Sequence, residues 1–129
     1  MARQFVVQLK NEPGAMATLA EALAARGVDL RAIGGGSMGD SGHVIMTTAD
    51  DDAARSVLEA GGYTFIEGES ILTEVDDRPG GMARLSRELA DAGVNIFGHL
   101  FLGRWGDRAM FAFVVDDQDK ARPILERKA

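Results

Sequence analysis

Two short stretches have the residue types to hold a small charged molecule, and they are versions of each other: Asn11-Glu12-Pro13-Gly14-Ala15-Met16 and Asp77-Arg78-Pro79-Gly80-Gly81-Met82. Each stands where an alternating strand gives way to a helix with an apolar stripe. A helix start offers backbone N–H groups without intrahelical partners and a partial positive charge, which together suit a carboxylate. Glycine lets a ligand come close to the main chain. The polar residue ahead of each proline, Asn11 or Asp77, can accept from an ammonium group. Amide donors beside such an acceptor suit a free α-amino acid. A Pro-Gly pair that merely starts a helix accounts for the same residues, so the residues alone leave both readings open.

Other chemistry is harder to assemble. The chain has no Cys, which removes disulfides, thiolate zinc sites and cysteine nucleophiles together. His43 and His99 lie far apart without a neighbouring nucleophile or ligand partner; His99, on a second strand, is the better functional candidate. The run Gly34-Gly35-Gly36-Ser37-Met38-Gly39 fits G-x-G-x-x-G, but it continues toward another strand where a dinucleotide fingerprint must open a helix. Acidic clusters at 50–52 and 116–117 serve as helix caps, and Glu67, Glu69 and Glu74 as a solvated strand face. Trp105 at a hairpin tip is packing or contact surface. We therefore expect no catalytic residues, no metal site and no cofactor.

The elements that position the two turns follow from an internal repeat. Residues 11–30 and 77–96 align without a gap at an offset of 66, with nine identities in twenty positions, among them Pro13/Pro79, Gly14/Gly80, Leu19/Leu85 and Gly27/Gly93. Alternation predicts first strands at Phe5–Leu9 and Ile71–Val75. The prolines are expected in the first helical turn, followed by the stripes Met16, Leu19, Leu23 and Met82, Leu85, Leu89. Gly27 and Gly93 suit left-handed C-caps before second strands at Val28–Ile33 and Val94–Leu102. Glycine-rich hairpins at Gly34–Gly42 and Gly103–Asp107 lead to third strands, His43–Thr48 and Ala109–Val115. Second helices start in acid, and Pro123 is expected early in the latter of them. Copy one closes with a fourth strand, Tyr63–Gly68; copy two has no clear equivalent.

The expected fold is α+β: two ferredoxin-like βαββαβ units in tandem, 1–69 and 70–129, each an antiparallel sheet with helices on one face. Only Glu69 and Ser70 separate the last strand of one from the first strand of the next, so the units are expected to pack together. An edge strand left unpaired in copy two favours a homodimer. With 46% hydrophobic and 26% charged residues over 129 positions, the chain fits one compact domain or two small ones sharing a core. A net charge of −6 speaks against nucleic-acid backbones and anionic membranes as partners. No apolar stretch approaches the roughly 20 residues of a membrane helix, and the start leads into alternation, so a cytoplasmic protein is expected.

The pattern N/D-x-P-G-x-M-A-x-L followed by A-x-x-G-V-N/D-I/L, present in both copies, strongly resembles the ACT domain, a ligand-binding module of many amino-acid-metabolism enzymes. The length and head-to-tail spacing resemble the stand-alone tandem ACT proteins of bacteria. The resemblance implies a non-catalytic sensor binding an amino acid between the first turn of one unit and the second strand of its neighbour, with a possible partner enzyme of amino-acid metabolism. Carried over, one site uses Asn11, Gly14, Ala15 and Met16 with Asn95, Phe97 and His99 opposite. The other uses Asp77, Gly80, Gly81 and Met82 with Asp29, Arg31 and Ile33. Glu12 in one site is matched by Arg78 in the other, so the two carry opposite charge. A structural interaction module without a ligand, or a small enzyme on the same sheet, are the alternatives.

Overall fold

Alternating Phe5, Val7 and Leu9 turn one face of strand β1 (Arg3–Lys10) to a core. Leu19 and Leu23 do the same for helix α1 (Ala15–Ala25), while Met16, on the same stripe, stays exposed. The computed structural model describes residues 2–126, which fall into two units, Met1–Gly68 and Glu69–Ala129. The first continues with β2 (Leu30–Met38), β3 (Ser41–Thr48), α2 (Asp51–Ala60) and β4 (Phe65–Glu69), in sheet order β2-β3-β1-β4. Both its helices feed one cluster, in which Leu19, Leu23, Val57 and Leu58 meet Phe5, Val7, Val44 and Met46. The helices therefore share one face of the sheet.

The second unit runs β5 (Ile71–Asp76), α3 (Gly81–Asp91), β6 (Ile96–Trp105), β7 (Arg108–Val115) and α4 (Gln118–Leu125), in sheet order β5-β7-β6. Leu85, Leu89, Ala121 and Leu125 pack on Val75 and Phe113. Among the described residues no strand follows α4, and β5 has a strand neighbour only in β7. The end of α4 is instead tied to β5, where the Thr73 hydroxyl donates to the Leu125 carbonyl at 2.5 Å. Pro123 is the sixth of eight helical residues, not an early one. It falls in the last turn, after which its ring has little helix left to interrupt.

Two expectations about punctuation are corrected. The prolines do not lie in the first helical turn. Glu12-Pro13-Gly14-Ala15 is a type II turn, closed by the Ala15 N–H on the Glu12 carbonyl at 3.3 Å with Gly14 at φ 89°, and Arg78–Gly81 repeats it with Gly80 at φ 90°. Nor are the glycine-rich stretches loops. β2 runs on through Gly34–Met38 and β6 through Gly103–Trp105, leaving two-residue turns at Gly39-Asp40 and Gly106-Asp107. Glycine reads as a breaker in a single strand, but here the cross-strand ladder absorbs it. A Cβ at Gly35 would sit 2.1 Å from the His43 carbonyl oxygen, so the close approach of the strands requires glycine.

At the other end both second strands start two residues late, at Leu30 and Ile96, because Val28 and Val94 complete the helix ends. The N–H of each bonds back to Leu23 or Leu89, with Gly27 and Gly93 left-handed between. β4 likewise starts at Phe65, since the Tyr63 N–H closes the end of α2 on Leu58. Each second strand then bulges at the same place, Arg31 and Phe97. β6 bulges a second time at Leu102.

The unequal residues at the two helix starts give a test. Gly81 is buried, and a Cβ there would lie 2.3 Å from the Asp76 carbonyl oxygen. Gly81→Ala should destabilise the protein by roughly 1–3 kcal/mol, whereas Ala15→Gly at the equivalent position should cost only about 0.5–1 kcal/mol. Urea unfolding midpoints check both.

Candidate functional site

In the first unit the turn, the start of α1 and the glycine-rich half of β2 enclose a cleft of about 340 Å³. Asn11, Glu12, Ala15 and Met16 line one side and Ile33, Gly35 and Ser37 the other. The row Ile33, Gly35, Ser37 faces the helix side of the sheet, paired with Met46, Val44 and Gly42. Because two of its members carry little or no side chain, the edge of the sheet stays open beside the helix start. A larger cleft of about 500 Å³ adjoins it across Leu9, Lys10, Glu12 and Ala15 and reaches Asp40 and Tyr63.

Local hydrogen bonding fixes what each group can offer. The Asn11 N–H donates to the Asp40 carbonyl at 3.0 Å, and its Nδ2 donates to the Gly39 carbonyl at 2.9 Å. The turn is thereby pinned to the tip of the β2–β3 hairpin. With Nδ2 engaged, Oδ1 is the atom of Asn11 left to accept. No side chain caps α1. Its first N–H, from Ala15, is engaged by the turn, and those of Met16 and Ala17 follow with no carbonyl behind them to accept. The arrangement offers backbone donors for an anion, a neutral amide oxygen for a cation, and Met16 and Ile33 as exposed apolar wall.

The second unit repeats the turn, beside a cavity of about 70 Å³ lined by Asp76, Gly81 and Arg84. The Asp77 N–H donates to the Asp107 carbonyl at 2.8 Å, as Asn11 does to Asp40. Its carboxylate, however, accepts from Arg104 Nε at 2.7 Å, and the Arg104 guanidinium carbon stands 4.7 Å from the centre of the Phe101 ring. Arg78 is drawn aside onto Asp76 at 3.1 Å. Gly81 is buried, and Met82 packs against the core.

Of the residues carried over on the second strands, Ile33 lines the cleft of the first unit, and the others stand near or before the starts of β2 and β6, away from the turns. Asp29 and Arg31 form an exposed ion pair at 3.4 Å. The Asn95 N–H donates to Asp116 Oδ1 at 2.8 Å, Phe97 is half exposed at the bulge, and His99 is exposed and tilted against Phe113. Of the candidates, the structure brings Asn11, Glu12, Ala15, Met16 and Ile33 round one cleft within the first unit, with Gly14 shaping the turn. Sequence reasoning missed Gly35, Ser37 and His43 as lining residues, having placed the first two in a loop and preferred His99 to His43. The signal was the strand alternation, which continues through the glycines once they are counted as paired positions.

The guanidinium groups pushed above their ordinary range lie elsewhere: Arg55, held chiefly by Glu67 and then by Asp52, and Arg122, held by Glu69 and then by Glu126. The first ties α2 to β4 within the first unit, and the second holds α4 to the first residue of the second unit. Among the described residues no three His, Asp or Glu side chains cluster as metal ligands would, and no helix is long and apolar enough to cross a membrane.

No protein-family model matches the chain, and no curated protein matches it. Solved structures do. A protein from Bacteroides thetaiotaomicron is similar at a TM-score of 0.73 and 22% identity, over 97% of this chain and 86% of that one. The regulatory subunit of aspartate kinase from Thermus flavus gives 0.66 and 20% over 97% and 90%, and that from Thermus thermophilus, ligand free, 0.64 and 20% over 97% and 87%. At this level of identity the likeness establishes the fold: two ferredoxin-like units in tandem.

Asn11 gives the site its first test. Asn11→Asp removes the donor to Gly39 and sets a carboxylate against that carbonyl, and should cost about 1 kcal/mol of stability. Ala17→Ser, on the exposed face of α1, should stay within about 0.5 kcal/mol. Chemical denaturation separates the two.

Proposed function

We propose that the chain is a non-catalytic regulatory protein that binds a free amino acid at the start of α1 and acts through its oligomer or a partner enzyme of amino-acid metabolism. The observation that carries this reading is the uncapped helix start opening onto a cleft beside a pinned amide oxygen. The amides of Met16 and Ala17 take the α-carboxylate, Asn11 Oδ1 takes the α-ammonium, and the side chain lies toward Met16 and Ile33. Glu12 at the rim favours a ligand without net negative charge. Regulatory subunits of aspartate kinase share the fold, which supports a regulatory role over a catalytic one. In a homodimer, the edge strand β6 of a second copy brings Asn95, Phe97 and His99 to cover the cleft. Ligand then stabilises the closed arrangement by its differential affinity for it, a few kcal/mol for a useful switch.

A thermal-shift series with each of the twenty amino acids at millimolar concentration tests the proposal. A ligand at about 100 times its dissociation constant adds roughly 2.7 kcal/mol, which means several degrees for a chain of this size. A selective rise that Asn11→Ala abolishes is the expected result. A flat response across all twenty overturns it in favour of an interaction module without a ligand.

A further inference from the structure

The two turns are nearly superimposable in sequence and hydrogen bonding, yet what stands across from them differs. Opposite the first lie Gly35 and Ser37; the residues in register opposite the second are Phe101 and Arg104. Strict alternation would send Arg104 to the other face of the sheet, because Phe101, three residues before it, faces the helix side. The bulge at Leu102 absorbs one residue, so that Phe101 pairs with Phe111 and Arg104 with Ala109, both on the helix side. Gly103, at φ 148°, supplies the backbone conformation for this step. The inserted residue therefore delivers the guanidinium to Asp77 at 2.7 Å and lays it against the Phe101 ring.

We infer that Arg104 closes the second copy of the site: its guanidinium takes, from within the chain, the place beside Asp77 that a ligand ammonium would need, so that each chain offers one amino-acid site, in the first unit. The inference deepens the function proposed above and rests on it for the kind of ligand excluded. A group that the fold holds beside its acceptor competes at an effective concentration of about millimolar or more, which a weakly held metabolite does not overcome. Phe101 fills the space that Gly35 leaves open in the first unit. Asp77 in place of Asn11 also fits: a carboxylate holds a guanidinium better than a neutral amide does.

Trp105 makes the test local. It is the sole tryptophan, next to Arg104 and six residues, about 20 Å of strand, from His99. The wild type and the variants Arg104→Ser and Phe101→Gly/Arg104→Ser, which write the first unit's residues into the second, are titrated with each of the twenty amino acids. Stoichiometry is read by calorimetry, Trp105 emission by fluorescence, and folding by circular dichroism.

The wild type is expected to bind one equivalent per chain without moving Trp105. The folded variants should gain a second saturable equivalent, about tenfold or more tighter than any second phase of the wild type, together with a shift in Trp105 emission. A wild type that binds two equivalents, or whose Trp105 responds, shows the second site already open and overturns the inference. So do folded variants that gain neither binding nor a Trp105 shift. A wild type that binds nothing defeats the function proposed for the first unit, while gain or no gain in the variants still decides the role of Arg104. If the double variant does not fold, Arg104→Ser alone decides it, since removal of one exposed side chain leaves the core clusters intact.

Discussion

A glycine held near φ 90° ahead of α1 and α3 is the constraint on which the rest depends. In that conformation a residue with a Cβ pays about 1–2 kcal/mol, and in the place of an N-cap glycine offers no side-chain acceptor. The other two helices of the same chain are built differently. Asp50 caps α2 through the Ala53 N–H at 3.1 Å, and Asp117 caps α4 through the Lys120 N–H at 3.1 Å. One fold thus contains both solutions to the unpaired amides of a helix start. Where the helix only has to be stable, an aspartate covers them. Where the strand β1 or β5 turns straight into a helix, the type II turn leaves them bare.

The bare amides would be an unremarkable surface feature without the second strand beside them. Gly34-Gly35-Gly36 weakens β2 as a strand, since glycine loses the most freedom on ordering and packs nothing against its neighbours. Three things recover the loss. The Gly35 backbone approaches His43 too closely for a Cβ, the two-residue turn at Gly39-Asp40 fixes the register, and Asn11 ties that turn to the helix start. The same contacts that make a glycine-rich strand tenable therefore make it the wall of a cleft. In the second unit the corresponding strand carries Phe101 and Arg104 instead, and Arg104 reaches Asp77 in the turn.

The repeat, the order of elements, the helix C-caps and the acidic N-caps were legible in the sequence because each rests on local chemistry: period, a left-handed glycine, a short acceptor ahead of a helix. Leu19 and Leu23 could be placed in the core from spacing alone. What escaped notice depends on partners distant in the chain. Whether Gly34–Met38 is loop or strand is decided by Ser41–Ile45 across the ladder, and the alternation that runs through the glycines is visible only once that pairing is assumed. The bulge at Leu102 is equally silent, although in hindsight it changes the offset between the copies by one residue after that point: the turn glycines, Gly39 and Gly106, stand 67 apart where the prolines stand 66 apart. An insertion between otherwise aligned repeats is the readable trace of a bulge.

That single residue also explains why two turns with the same motif need not share a role. In a strand a one-residue step exchanges faces, so an insertion changes the chemistry on each face without altering the fold: the helices stay packed on the same core positions, Ile71 and Phe113 in one unit as Phe5 and Met46 in the other. Stability then places little restraint on what the end of β6 presents to Asp77, since the residues involved are exposed and exposed substitutions usually stay within about 0.5 kcal/mol. A duplicated unit of this kind can lose, fill or redirect one of its two sites by changes confined to an edge strand, while the turn that defines the motif is kept because the helix cannot start without it. The motif therefore reports the fold in both units, and the residues across from it report whether a site is open.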